Sequence, residues 1–137
     1  MNVADLAKNT IDAGIYKLRI SKFDADTPSA GGDDMLTIVL EHEETGLTIW
    51  DRLVQKDTVL RFKWAPLFVA LGGNPLLDVD PADLQPFYNA VIDLVADAEF
   101  VWVVVDESEY KGKPKNEIGA YLTEDAAEEA MAGTAGF

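Results

Sequence analysis

The sequence contains no cysteine and a single histidine, His42, in 137 residues. A chain without cysteine forms no disulfide and no thiolate metal site, which fits a reducing cytoplasm. One histidine is too little for the usual zinc sites or for histidine-based nucleophilic catalysis. We therefore expect no metal and no cofactor.

Long hydrophobic runs and catalytic motifs are also missing. No apolar run approaches the roughly 20 residues that span a bilayer. The first residues lack the basic start and the following apolar stretch that are typical of a signal peptide. The patterns G-x-x-x-x-G-K-S/T, G-x-G-x-x-G, H-E-x-x-H and G-x-S-x-G do not occur. The sequence thus predicts a cytoplasmic protein that is not an enzyme and has no membrane partner.

Basic residues are scarce: 11 Lys and Arg stand against 25 Asp and Glu, for a formal net charge of -14. Such a chain repels polyphosphate at long range, so any nucleic-acid site must be a local basic surface within a screening length of roughly 10 Å. The basic residues are in fact segregated. Residues 65–110 contain none, whereas residues 14–64 and a short segment at 109–116 contain nearly all of them.

Five segments have the period-two or continuous apolar pattern of β-strands: 15–23, 35–42, 47–54, 99–107 and 116–122. The continuous apolar run within 99–107 predicts burial on both faces of that strand. Helical spacing appears at 57–71, where Pro66 predicts a kink or two short pieces, and at 87–96.

This order of elements predicts an all-β fold with a helical insertion. The expected architecture is a five-stranded Greek-key barrel of the OB type, with the helices between strands 3 and 4. An open sandwich is the alternative. Residues 1–122 would form the single domain, followed by an acidic tail over 123–137.

Alternation assigns side chains to faces. In the first predicted strand, Lys17 and Arg19 face away from the core, and in the third, Trp50 and Arg52 share one face. Asp51 lies on the apolar face of that strand. A carboxylate there is expected to accept hydrogen bonds from loop backbone or to pair with an arginine.

The segment 109–116 combines three lysines with Tyr110 between two strand-like runs. Positive charge beside a flat aromatic ring suits a single nucleic-acid strand, whose phosphates need cations and whose bases stack on rings. A merely polar, soluble turn is the other interpretation.

Two tryptophans, Trp64 and Trp102, are expected in the core, whereas Trp50 and Tyr110 are the candidate stacking platforms. The basic residues would converge on the groove of the barrel. The predicted DNA-binding residues are Lys17, Arg19, Trp50, Arg52, Lys56, Arg61, Lys63, Tyr110, Lys111, Lys113 and Lys115.

The last 15 residues are acidic, and they end in Phe137. One interpretation is an amphipathic helix that frays at its end. The other is a detachable acidic peptide whose terminal phenylalanine anchors it to a partner protein or to its own barrel. The predicted partner-binding residues are Glu124, Asp125, Glu128, Glu129 and Phe137.

Five short motifs follow one another along the chain: Gly14-Ile15-Tyr16, Gly46 through Trp50-Asp51-Arg52-Leu53, Phe68-Val69-Ala70-Leu71-Gly72, Glu109-Tyr110-Lys111-Gly112-Lys113 and Asn116-Glu117-Ile118. By these motifs and their order, the chain resembles phage-encoded single-stranded-DNA-binding proteins of the DUF669 type. The resemblance implies an OB-fold protein that coats single-stranded DNA during phage replication or recombination, in the cytoplasm of the host bacterium. The tail is similar to those that recruit replication and repair enzymes, although it lacks a dense aspartate run and a terminal Pro-Phe. A homodimer is compatible with this resemblance.

The net charge favours a rival function. An acidic protein-interaction module, such as an inhibitor or a DNA mimic, would occupy the nucleic-acid groove of a host protein. The clustering of basic residues on one predicted face favours DNA binding instead.

Overall fold

The computed structural model describes residues 2–4 and 8–135. The strands are β1 (Gly14–Asp24), β2 (Met35–Glu41), β3 (Thr48–Val54), β4 (Phe100–Tyr110) and β5 (Lys113–Leu122). The helices from β3 onwards are α1 (Asp57–Val59), α2 (Ala65–Ala70), α3 (Gln85–Asp97) and α4 (Glu124–Ala135). A π-helical turn, Leu60–Trp64, joins α1 to α2. Where α3 is named separately below, the helical insertion means α1, this turn and α2.

The strands form one antiparallel sheet in the order β3-β2-β1-β4-β5, and α1, the π-helical turn, α2 and α3 intervene between β3 and β4. The prediction of an all-β fold with a helical insertion at this point is confirmed. Among the described residues no backbone ladder joins the outer strands β3 and β5, so the sheet is open. A side-chain hydrogen bond does connect these two strands, from Tyr121 to Asp51.

The core lies between one face of the sheet and the helices. Inward side chains of every strand meet Trp64 and Leu67 of the helical insertion and Val91 and Val95 of α3. Trp64 is fully buried, as predicted, and its indole Nε1 donates a hydrogen bond to the carbonyl oxygen of Val54 at 3.0 Å. This bond ties the helical insertion to the end of β3.

The continuous apolar run of β4 does not produce burial on both faces. Val101, Val103 and Val105 are buried, while Trp102 and its outward neighbours are only half-buried. The prediction that Trp102 belongs to the core is therefore wrong. The run is apolar on both sides, but only one side faces the helices.

A β-bulge interrupts β1 at Ser21. The pairing with β2 shifts there: Ile20 lies opposite Leu40, but Lys22 lies opposite Val39. Strict alternation along β1 would turn Ser21 outward and Lys22 towards the core. An extra residue in one strand reverses the alternation of the residues after it, so Lys22 lies on the outer face.

Pro66 divides the helical insertion, as its position predicts. Proline has no backbone N–H and so cannot continue the α-helical hydrogen-bond ladder. The preceding residue, Ala65, donates its N–H to the carbonyl oxygen of Leu60, five residues back, which is the π-helical pattern. Pro66 then lies in the first turn of α2, a position that proline tolerates.

The segment before β1, here called the N-terminal arm, is attached to the sheet by Asn116. The N–H of Ile11 donates to Asn116 Oδ1 at 2.8 Å, and Asn116 Nδ2 donates to the carbonyl oxygen of Ile11 at 2.9 Å. Ile11 itself is buried in the core. One side-chain amide thus pairs with the arm as a neighbouring strand would.

The acidic segment after β5 begins as a helix. The Oγ1 atom of Thr123 accepts a hydrogen bond from the N–H of Ala126 at 3.1 Å, which caps α4, and Ala127 is buried. The helical interpretation of this segment therefore holds through Ala135, and Phe137 lies outside the described residues. None of the described helices is both long and apolar enough to cross a membrane.

Candidate nucleic-acid interface

The outer face of β1, β2 and β3 carries two rows of side chains that run across the strands. Cross-strand partners on one face lie about 5 Å apart. In one row Lys22 pairs with Val39, and Val39 pairs with Trp50. The next row consists of Asp24, Thr37 and Arg52.

Trp50 lies on β3, the outermost of these three strands. Its side chain is 50% exposed, although Val39 beside it is buried. Lys22 Nζ lies 5.2 Å from the centre of the indole ring, and Arg52 Cζ lies 5.7 Å from it. Both are cation–π distances, so an exposed aromatic ring has two positive charges beside it.

A groove of about 370 Å³ runs beside Trp50. Its walls combine cationic, aromatic and aliphatic side chains with the single carboxylate of Asp24. Hydrogen bonds from Thr27 Oγ1 and from the N–H of Asp26 hold the pKa of Asp24 below its usual value. The lining residues are Lys22, Phe23, Asp24, Thr27, Met35, Thr37, Val39, Trp50 and Arg52.

The two basic residues predicted on the early part of β1 have different surroundings. Arg19 donates to Glu41 Oε1 at 2.9 Å and lies 3.8 Å from Glu43, and the hydrogen bond and charge of Glu41 raise its pKa. Lys17 has its Nζ 5.0 Å from the centre of the Phe100 ring. The positive charge of Arg19 is thus largely compensated by two glutamates, whereas Lys17 remains available to a ligand.

The β4–β5 hairpin has a tighter turn than the sequence suggested. Only Lys111 and Gly112 lie outside the strands, with φ of 53° and 77°. Two consecutive positive φ values are required by a type I′ turn, which joins twisted strands directly. Lys113 and Lys115 therefore belong to β5.

Tyr110, at the end of β4, is 62% exposed. Lys111 Nζ lies 5.3 Å and Lys115 Nζ 5.8 Å from the centre of its ring. Lys115 also lies 3.5 Å from Glu117, in an exposed ion pair. The hairpin tip thus repeats the arrangement at Trp50, an exposed aromatic ring with two cations beside it.

A second depression, of about 260 Å³, connects these two sites. Trp50 and Arg52 line it from β3, and Pro114, Lys115 and Asn116 line it from β5. Because Trp50 and Arg52 also line the first groove, one continuous surface extends from β1 to the base of the hairpin. We call this surface the sheet groove.

Lys63 points elsewhere. Its Nζ forms an ion pair with Asp51 Oδ1, and Tyr121 Oη donates to Asp51 Oδ2 at 2.5 Å. Asp51 is only 5% exposed, and burial of Tyr121 together with the charge of Asp51 raises the pKa of Tyr121 well above its usual value. The buried carboxylate thus has a lysine and a tyrosine as partners, where an arginine or loop backbone was expected.

Two further predicted contacts lie away from the sheet groove. Lys56 is 3.4 Å from Asp33 in an exposed ion pair. Arg61 is exposed on the helical side, where it lines a depression with Phe68 and Phe87. Neither residue is brought to Trp50.

Six basic residues take no part in the ion pairs of the described chain, and three of them contact an exposed aromatic ring: Lys22 and Arg52 at Trp50, and Lys111 at Tyr110. The full set is Lys17, Lys22, Arg52, Arg61, Lys111 and Lys113. Apart from Arg61, these positive charges belong to the outer face of the sheet and its hairpin.

The predicted partner-binding acids lie on α4. Glu124, Asp125, Glu128 and Glu129 are exposed, and the one buried side chain between them is Ala127. The helix thus presents its carboxylates to solvent.

Lys22 and Asn116 are absent from the predicted site. No local signal marks the bulge that turns Lys22 outward, and Asn116 pairs with a residue 105 positions away.

No protein-family model and no curated protein matches the chain.

Proposed function

We propose that this protein binds single-stranded DNA without sequence preference. The proposal rests on the environment of Trp50, a half-exposed ring within cation–π distance of Lys22 and Arg52, neither of which has an ion-pair partner among the described residues. Non-specific binding of single strands needs aromatic platforms for bases and cations for phosphates. The sheet groove supplies both, and Tyr110 with Lys111 repeats them at the hairpin.

We further propose that the sheet is a partly open barrel of the OB type. The strand order and the helices between β3 and β4 support this architecture, as does the hydrogen bond between Tyr121 and Asp51 across the open edge. OB barrels bind oligonucleotides on the face of their second and third strands and on the loop between the fourth and fifth. These positions correspond to Trp50 and to the hairpin tip at Tyr110.

The proposed mode of binding follows from the two aromatic sites. A base stacks on Trp50 while Lys22 and Arg52 neutralise the adjoining phosphates. The strand then continues over the depression at Lys115 towards Tyr110. Because these cations act over a screening length of about 10 Å, the acidic remainder of the chain weakens binding without preventing it.

We propose the biological setting from the resemblance to phage-encoded single-stranded-DNA-binding proteins. This resemblance supports a role in phage DNA replication or recombination. The exposed carboxylates of α4 would then be available to replication or recombination proteins.

Fluorescence anisotropy of a labelled oligo-dT of roughly 30 nucleotides, titrated at about 50 and 150 mM salt, tests the proposal. We expect saturable binding that weakens as salt rises, and much weaker binding of a duplex of equal length. Equal affinity for duplex, or no binding at the lower salt, would contradict it.

The second candidate is an acidic module that occupies the nucleic-acid groove of another protein. The net charge of -14 favours it. It predicts no affinity for oligo-dT at either salt concentration, so the same titration separates the two functions.

A further inference from the structure

A second groove lies on the helical side of the molecule, between the helical insertion, α3 and the loop that joins them. Its volume is about 330 Å³, and its walls are mainly apolar. Arg61 is the one cation among its lining residues. The apolar lining includes Leu60, Phe68, Val69, Leu77, Val79 and Phe87. We call it the helical groove.

The helical groove ends in carboxylates. Leu77, Val79 and Phe87 also line an adjoining depression of about 250 Å³ whose other residues include three aspartates. These aspartates are exposed, and the ion pairs of the described chain include none of them. They are Asp78, Asp80 and Asp83.

Exposed leucines stand at the same edge. Leu76 is 87% exposed and Leu77 is half-exposed, in a loop without regular secondary structure. The loop is nevertheless held by local hydrogen bonds: Asn74 Oδ1 accepts from the N–H of Leu76 at 2.9 Å, and Asp80 Oδ1 accepts from the N–H of Ala82 at 2.9 Å. Exposed apolar side chains beside an apolar groove are typical of a protein-interaction surface.

We propose that the helical groove docks a basic amphipathic segment of another protein. Phe68 and Phe87 contact each other edge to face, with ring centres 5.2 Å apart, and are buried. The apolar side chains of the segment would pack against the groove lined by these rings and cover Leu76 and Leu77. Its lysines or arginines would lie against Asp78 and its neighbours. Such an apolar face with a basic flank is the usual form of a helix that binds in a groove.

Charge complementarity selects this occupant. The acids of α4, on this chain or on a second copy, are carboxylates and would be repelled by the aspartates. Nucleic acid is excluded on the same ground. A basic segment instead gains opposite charge at the rim and apolar contact in the groove.

The test uses the full chain labelled with ¹⁵N and a synthetic amphipathic peptide of about 16 residues, with leucines at i, i+3, i+4 and i+7 and lysines elsewhere. A second peptide has glutamate in place of each lysine. At about 150 mM salt we expect saturable binding of the lysine peptide, with amide shifts confined to residues 60–87. We expect the glutamate peptide not to bind.

Two double variants separate the apolar contribution to peptide affinity from the contribution of the aspartates. Leu76→Ser with Leu77→Ser should weaken binding about tenfold, and Asp78→Asn with Asp83→Asn about threefold. A matched control, Asp26→Asn with Glu44→Gln, removes two exposed carboxylates elsewhere and should change affinity little. Thermal unfolding of each variant checks that it is folded.

Three results would overturn the proposal. The first is no binding, or shifts spread over the whole acidic surface with equal loss in the control variant. The second is equal binding of the glutamate peptide. The third is self-association of the chain that the leucine substitutions abolish, since the occupant would then be a second copy.

Discussion

The sheet groove and the helical groove are opposite in chemistry. The sheet groove has an exposed tryptophan beside cations that form no ion pair in the described chain, whereas the helical groove has apolar walls and an aspartate rim. Each side of the molecule also carries an exposed aromatic residue and an exposed arginine, Trp50 and Arg52 on β3, and Phe62 and Arg61 on the π-helical turn. The local arrangement of charges, and not the net charge, therefore decides which ligand each surface can take.

The largest expected effect comes from Trp50→Ala. Stacking of a base on an aromatic ring contributes about 1–3 kcal/mol, so we expect affinity for oligo-dT to fall about tenfold in anisotropy titrations. Phe62→Ala is the matched control, because Phe62 is 75% exposed but belongs to the helical side. Equal losses in the two variants would remove the distinction between the grooves.

The double variant Lys22→Ala with Arg52→Ala should have the next largest effect. Each cation that contacts a phosphate contributes about 0.7 to the salt dependence of single-strand binding, so the slope of log K against log salt should become shallower by about 1.4. Arg61→Ala removes another exposed arginine, on the helical side, and should leave the slope unchanged. A shallower slope in Arg61→Ala would show that the strand also crosses that side.

A smaller effect is expected from replacing Lys111, Lys113 and Lys115 together by alanine. The tip lies at the end of the proposed path, so we expect about threefold weaker binding at low salt. The loss should be equal for oligo-dT and oligo-dC, since phosphates carry no sequence information. Unchanged affinity would exclude the hairpin from the site.

Lys63→Met should have the smallest effect on DNA binding and a clear effect on folding. It leaves the buried Asp51 with only Tyr121 as a hydrogen-bond partner among the described side chains. A hydrogen bond to a charged group contributes about 1.5–3 kcal/mol, so the free energy of unfolding in urea should fall by about 2 kcal/mol. Lys56→Met breaks an exposed ion pair and should cost about 0.5 kcal/mol or less. A loss of DNA affinity in Lys63→Met without a loss of stability would return Lys63 to the binding surface.

The sequence predicted the faces of β3 correctly because this strand alternates without interruption. Trp50 and Arg52 are exposed, and Asp51 is buried. The same rule failed for Lys22, because the bulge at Ser21 depends on the pairing of two strands and not on local residue types. Trp102 was misassigned because an apolar run does not tell which of its sides other elements will cover.

Contacts between distant residues were beyond the sequence. The flexible side chain of Lys63 reaches a carboxylate in another element, and periodicity only locates it on the helix. Asn116 binds the backbone of Ile11 across 105 positions. The helical groove likewise depends on how a loop packs against two helices, which residue patterns do not determine.

The most direct test of two chemically distinct grooves is amide shift mapping of the ¹⁵N-labelled chain with an oligo-dT of about eight nucleotides, within the site size of one OB fold. We expect shifts at 19–24, 37–41, 48–52 and 110–116, with residues 60–69 and 74–87 unchanged. Shifts confined to the helical groove, or none at a saturating concentration of oligo-dT, would contradict this assignment.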